Sequence, residues 1–385
     1  MTQNFDTRAV HLSNKEKKSF TSKVTPIYQT SAFTFTDLDD LEEYFNGEND
    51  YLYTRVGNPN PDELGEAVAQ LEGARHGVAT SSGLSAILAG VLSVAKNGDH
   101  IVASKDIYGG TYELLANDLP DFGIEVSFVD FTNQQKISKA IKSTTTLIYS
   151  ESITNPLLRV EDLSTLVAIA KNHNLYTMVD NTFATPYFCT PFEAGVDFVV
   201  HSATKYIGGH SDVTAGVLVG REDLVAKAKS KVVHLGSNLS PFEAWLACRG
   251  LKTLSVRMER HAKNAQALAS ALKENQAVQH VYYPENVSSK GNGAIVTIDI
   301  TEKCDIVDFF KSLDWIKIVP TLAGVETSVS YPISTSHRAV PEDSRKELGI
   351  TEGLVRISVG IEDAADIIAA FEYALNASVL KGDPK

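Results

Sequence analysis

From about residue 60 to 230 the chain alternates between two spacings of apolar residues. Helical spacing covers 62–72, where Leu64, Val68 and Leu71 fall on one face. The stretches 85–94, 112–119, 137–141 and 163–172 also read as helices. Between them lie short β-like runs at 100–103, 125–129, 146–149 and 176–179. A further run begins apolar at Phe198-Val199-Val200 and turns small and polar on the way to Lys205. Strands separated by helices predict a largely parallel sheet covered on both faces. Residues 1–50 are polar and extended, with one periodic stretch at 37–45, and read as an arm. Beyond about 235 the texture changes to a helical region over 241–274 broken near Gly250, a strand at 294–300 and a helix at 306–313. A strand at 354–359 and a closing helix at 364–379 follow. The expected organisation is therefore an arm (1–50), a large α/β domain (51–240) and a smaller α+β domain (241–385).

Composition narrows the partners. The 385 residues carry 35 basic and 48 acidic side chains, a formal net charge of -13. A nucleic-acid binder needs a basic footprint, which this balance does not supply, and an anionic membrane surface is equally unsuited. The longest nearly apolar run, 86–95, is far too short to span a bilayer. Lys15-Glu16-Lys17-Lys18 interrupts any signal-like apolar segment near the start. Cys189, Cys248 and Cys304 are widely spaced and odd in number, which suggests neither a disulfide framework nor a metal site. A reducing cytoplasm is the expected compartment.

In an open parallel sheet, ligands gather at the carboxyl ends of the strands, and several polar clusters fall there. Lys205 follows the run from Phe198, between Ser202 and Thr204 on one side and Gly208-Gly209 on the other. A surface lysine whose stem covers apolar area is the ordinary alternative. Ser81-Ser82-Gly83-Leu84 precedes an apolar helix, a turn whose free N–H groups favour an anion. Asp180 follows the strand at 176–179, as a cap or as the partner of a protonated ring nitrogen. Glu151 and Asn155-Pro156 follow the strand at 146–149, and Tyr108-Gly109-Gly110 follows the strand at 100–103. An amine, an anion-binding helix start, hydroxyls, an aromatic platform and a carboxylate are the set that pyridoxal 5′-phosphate requires.

His201-Ser202-Ala203-Thr204-Lys205-Tyr206, with Asp180-Asn181-Thr182-Phe183 upstream, resembles the Cys/Met-metabolism family of pyridoxal-phosphate enzymes. That family includes cystathionine γ-synthase, cystathionine γ- and β-lyases, methionine γ-lyase and O-acetylhomoserine sulfhydrylase. The likeness runs from Pro26 to Glu362 and implies the type I fold of pyridoxal-phosphate-dependent transferases. It implies that Lys205 forms the Schiff base, that Asp180 keeps the ring nitrogen protonated, that Tyr108 stacks on the ring and assists the leaving group, and that Asn155 contacts the phenolic oxygen. Ser202, Thr204 and the backbone of Gly83 and Leu84 are implied to bind the phosphate. Tyr53 and Arg55 are implied to reach a neighbouring subunit's phosphate, giving a dimer at least and usually a homotetramer. Arg356, a charge within an apolar strand, is implied to hold the substrate carboxylate with help from Thr321.

The chain departs from the family pattern at three places. Pro320 stands where γ-synthases and many γ-lyases have a glutamate, and Gly110 where typical methionine γ-lyases have a cysteine. The segment 284–293 is shorter than in most relatives. The expectation is a lyase that breaks a C–S bond in cystathionine or a related thio-amino acid such as homocysteine or cysteine, by β- or γ-elimination. A γ-replacement transferase joining cysteine to an O-acylated homoserine is the second choice. A non-catalytic relative retaining the fold is a remote third.

Overall fold

A computed structural model describes residues 3–11, 22–338 and 340–380. The Lys15–Lys18 cluster lies outside them. Seven strands form the larger sheet: β1 (His76–Thr80), β2 (His100–Ser104), β3 (Glu125–Val129), β4 (Thr145–Glu151), β5 (Tyr176–Asp180), β6 (Phe198–His201) and β7 (Gly216–Gly220). Their spatial order is β1-β7-β6-β5-β4-β2-β3. Every pairing is parallel except those of β7, which runs antiparallel to both neighbours.

Adjacent residues in the central strands enter opposite cores, because side chains alternate across a sheet. Ile148, Val179 and Val199 join a cluster with Leu64, Val68 and Leu166. Leu147, Met178 and Val200 join another with Ile87, Leu115 and Leu224. Both faces are thus dry, which explains runs that are apolar throughout. Sequence spacing misses β1 and β7, which are bounded or interrupted by glycine, and the following helix Glu222–Leu235. It also misses Phe5–Val10, a short helix within the expected extended arm. The stretch expected as one helix at 112–119 begins α-helical, becomes a π-turn at Leu114–Asp118 and tightens to a 3₁₀ turn at Leu119–Phe122. Pro120, which cannot continue the α-helical hydrogen-bond ladder, sits in that last turn.

The C-terminal part builds a second sheet from β8 (Val278–Tyr282), β9 (Ile295–Ile300), β10 (Lys317–Ile318), β11 (Ser328–Ser330) and β12 (Leu354–Ser358). Its order is β10-β11-β12-β9-β8. One face packs Val296, Ile298, Val355 and Ile357 against Leu268, Phe309 and Phe371. The other face carries Thr297, Arg356 and Ser358, which are also buried. There the Thr297 hydroxyl donates to the Pro156 carbonyl oxygen at 2.7 Å, joining the small sheet to the end of β4. The fold is the type I fold of pyridoxal-phosphate-dependent enzymes.

The helix Pro59–Leu71 lies directly on β1 through two glycines. A Cβ added at Gly77 would stand 2.3 Å from the Gly65 carbonyl oxygen, and one at Gly65 would stand 2.6 Å from that of Gly77. Neither contact can be relieved by a rotamer change, since both partners are backbone. Gly77→Ala is expected to destabilise the fold by about 1–3 kcal/mol through overpacking. The check is the midpoint of denaturant unfolding, with an unchanged midpoint counting against this packing.

Candidate active site

The carboxyl ends of β2, β4, β5 and β6 surround a cavity of about 240 Å³, closed on one side by β12 and by the segment carrying Pro320, Thr321 and Leu322. Tyr108, Asn155, Asp180, Ser202, Thr204, Lys205, Gly83, Leu84, Thr321 and Arg356 all line it. Tyr53 and Arg55 do not. They lie on the surface, with the Arg55 guanidinium 5.4 Å from the Tyr53 ring centroid.

Lys205 sits in the loop between β6 and β7, a few residues beyond the strand end rather than on it. The loop is closed internally: the Thr204 hydroxyl accepts from the Ala215 N–H at 3.0 Å and donates to the Ala215 carbonyl at 3.2 Å. That contact uses the hydroxyl proton of Thr204, and its backbone N–H donates to the same carbonyl at 3.1 Å. Burial pushes the Lys205 amine below its ordinary pKa, the Arg356 charge pushes the same way, and Asp180 opposes both. Asp180 ends β5. Burial raises its carboxyl, while the Thr182 hydroxyl and N–H (2.8 Å), His201 and Lys205 pull it back.

Two contacts tie the ends of β5 and β6 together below the cavity. The Ser202 N–H donates to the Thr182 hydroxyl at 2.8 Å. Glu72 Oε1, fully buried, meets His201 Nε2 at 2.8 Å and accepts from Asn181 Nδ2 at 2.8 Å. Ser82 caps the helix Gly83–Val94 by accepting from the Ser85 N–H. Gly83 fits because a Cβ there would lie 2.8 Å from Ser202 Cβ. The helix start and the Ser202 hydroxyl therefore face one small space.

Arg356 is 2% exposed and donates to Asn155 Oδ1 at 3.1 Å. Among the described residues it has no carboxylate within ion-pair distance. Its position follows from strand period: Val355 and Ile357 take the core face and leave Arg356 facing the cavity. Burial lowers the guanidinium to about 10, so it stays charged at neutral pH. Leaving such a charge unpaired costs several kcal/mol. Tyr108, 42% exposed, is held through its backbone N–H, which donates to Glu151 Oε1 at 2.7 Å. Gly110 leaves room for the ring, since a Cβ there would stand 2.6 Å from Tyr108 Cε1.

Sequence reasoning assigns no task to Thr182, Glu72 or His337. The first lies within a quoted motif. Glu72 and His337 carry no local signal, because their partners are remote in sequence.

The family model for Cys/Met metabolism PLP-dependent enzymes matches residues 6–376. The chain belongs to that family. It is 39% identical to an L-methionine gamma-lyase from Porphyromonas gingivalis, with 98% of each chain covered. It is 40% identical to a cystathionine beta-lyase from Lactococcus lactis, covering 96% of this chain and 98% of that one. A solved cystathionine gamma synthase from Xanthomonas oryzae superposes with a TM-score of 0.92 at 34% identity, over 98% of this chain and 99% of the other. The cofactor of this PLP-dependent enzyme is pyridoxal 5′-phosphate, and the donor set fits it. The cavity offers an amine of lowered proton affinity, a carboxylate, a glycine that a side chain could not replace beside a hydroxyl, and an aromatic ring. Among the described residues no helix is long and apolar enough to cross a membrane.

Behind Asn155, His337 Nε2 donates to the Asn155 carbonyl at 3.1 Å. Burial, reinforced by Arg356, lowers His337 to about 4, and burial lowers His261 likewise to about 4. Both stay neutral in the fold but accept protons near 6.5 when unfolded. Between about 4 and 6.5 the unfolded chain binds more protons, so stability is full above that window and falls as pH drops through it. Each histidine accounts for a loss on the order of 3 kcal/mol. Denaturant unfolding measured from pH 7 down to 4 checks this, and His261→Gln is expected to flatten the slope.

Proposed function

We propose that this enzyme cleaves the carbon–sulfur bond of cystathionine or a related thio-amino acid such as homocysteine or cysteine, by β- or γ-elimination. The observation that carries the proposal is Arg356, a buried guanidinium with no ion-pair partner among the described residues, in the same cavity as Lys205 and Asp180. A planar fork of N–H donors suits a substrate α-carboxylate, which supplies the missing charge. Thr321, at the rim, is the second group in reach of that carboxylate.

The site residues take these roles. Lys205 would hold the cofactor covalently until the substrate amine displaces it and frees the lysine amine, Asp180 would meet the ring nitrogen, and Tyr108 would stack on the ring. Asn155, whose Oδ1 accepts from Arg356, would offer its Nδ2 to the phenolic oxygen. The Gly83–Leu84 helix start and the Ser202 hydroxyl bind the phosphate. Thr204 closes the Lys205 loop from the edge of that group, with an acceptor lone pair to spare. When bound, pyridoxal 5′-phosphate withdraws electrons from the substrate α-carbon. The Lys205 amine, its proton affinity lowered by burial and Arg356, takes up the α-proton. Tyr108, which lines the cavity, would assist the leaving sulfur by supplying its proton. The proposed chain division is an arm to 50, a large domain to 240 and a small one beyond.

Tyr53 and Arg55, outside their own cavity, complete the phosphate site of a second copy in this reading, which makes the working unit a dimer or a homotetramer of two dimers in the cytoplasm. The likeness to a cystathionine gamma synthase favours a second reading, in which cysteine replaces the leaving group of an O-acylated homoserine.

Lys205→Ala is expected to lose the visible absorption of the bound cofactor and nearly all turnover. Full turnover in that variant refutes the assignment. Arg356→Ala is expected to raise KM for cystathionine about 100-fold, the equivalent of a charged hydrogen-bonded pair. Cystathionine should yield cysteine with 2-oxobutanoate or homocysteine with pyruvate. Its formation from cysteine and an O-acylated homoserine, without those products, selects the second reading. Co-expressing Lys205→Ala with Arg55→Ala chains should restore activity that neither has alone, because one site of the mixed dimer is intact. No recovery would mean that each subunit's site is self-contained.

A further inference from the structure

Two carboxylates stand abreast on the floor of the cavity. Glu151 ends β4 and Asp180 ends β5, and the two are paired in the parallel register, so their side chains leave the sheet on the same face. Both line the cavity. Like charges this close, screened from water, cannot both be ionised at modest cost. The surroundings decide which of them keeps the charge.

Asp180 has the stronger claim. It accepts from the Thr182 N–H and hydroxyl, lies near the His201 ring and faces Lys205. Glu151 is 5% exposed, and its Oε1 accepts from the Tyr108 N–H. Among the described residues its Oε2 has no hydrogen-bond partner, and the side chain lines the cavity. Asp106, on the segment after β2, adds a second like charge nearby. The Arg159 cation, which acts on Glu151, is already taken. Its Nε donates to Asp106 Oδ2 at 2.8 Å, its Nη2 to Asp106 Oδ1 at 3.0 Å, and its Nη1 to Glu161 Oε1 at 3.2 Å. Tyr149, below on β4, is buried and itself repelled by both carboxylates. Lys205 and Arg356 complete the ring of charged groups around the floor.

We propose that Glu151 works as a neutral carboxylic acid, keeping its proton on Oε2 while Asp180 beside it is ionised. In that form it holds the Tyr108 backbone through Oε1 and offers an O–H to the cavity, without competing with Asp180 for the positive ring nitrogen. Glu151 is thus a positioning residue that leaves a single negative charge on the floor. The desolvation of Glu151 and the Asp180 charge both act in this direction. The inference rests on the role given to Asp180 above.

Infrared spectra of the cofactor-loaded enzyme near neutral pH test it, using protein labelled with carbon-13 at either its glutamate or its aspartate carboxyls. The expected result is a protonated-carboxyl C=O band that shifts with the glutamate label alone and disappears in Glu151→Gln. The same variant should leave the acid limb of the pH–kcat/KM profile in place, because it removes no charge. A band that follows the aspartate label and vanishes in Asp180→Asn reverses the assignment. The absence of any such band, or a displaced acid limb in Glu151→Gln, overturns it. Should Glu151→Gln fail to fold, the two labels on the unaltered enzyme decide the same question. Full turnover in Asp180→Asn overturns the role given to Asp180. A persisting glutamate band distinguishes that failure from a wrong protonation state.

Discussion

Glu72 follows the last turn of the helix on β1, and its carboxylate is sealed from water. Through Oε1 it reaches Asn181, the residue after Asp180, and His201, the residue before Ser202. Ser152, just past Glu151, extends the same network to Asn181 Oδ1 at 2.7 Å. One buried carboxylate therefore sets the relative height of the ends of β4, β5 and β6. Oε1 is satisfied twice, whereas Glu72 Oε2 and His201 Nδ1 have no hydrogen-bond partner among the described residues, so part of the cost of burying this group is not offset. The separations among Lys205, Asp180 and Asn155 depend on this knot, although none of the three touches Glu72.

Above it, the cavity concentrates charge of both signs under low-dielectric walls. Arg356 acts twice. It is a fixed positive site for an anion, and its field also makes the Lys205 ammonium less favourable. A lowered proton affinity moves this amine toward the role of a base, which an ordinary lysine fills poorly. Moving Arg356 from β12 would change both the grip on an anion and the acidity of the lysine. The small sheet thus supplies part of the electrostatics of a site built mainly on the large one.

Much of this could be read from residue order. Alternation and helical spacing locate β2, β3, β5, β9 and β12 within a residue or two, since each has apolar residues of one period and polar ends. β7 escapes because glycine closes it at both ends and leaves only the three apolar residues Val217-Leu218-Val219 between them. Lys205, Asp180 and Tyr108 stand out because each follows a recognisable strand. Glu151 is visible at the same kind of position, but its neighbour is not. Only the β4–β5 register shows that two acids share a floor. Glu72 and His337 depend on contacts 129 and 182 residues away along the chain, which no local pattern encodes.

The Thr204–Ala215 clamp has one more implication. Both ends of the loop that carries Lys205 are fastened by hydrogen bonds within the protein, and so are the serines at the start of the Gly83 helix. The cradle's shape is therefore written into the polypeptide. Loading the cofactor is closer to seating a part in a finished mount than to folding around a template, and little ordering entropy stands against it.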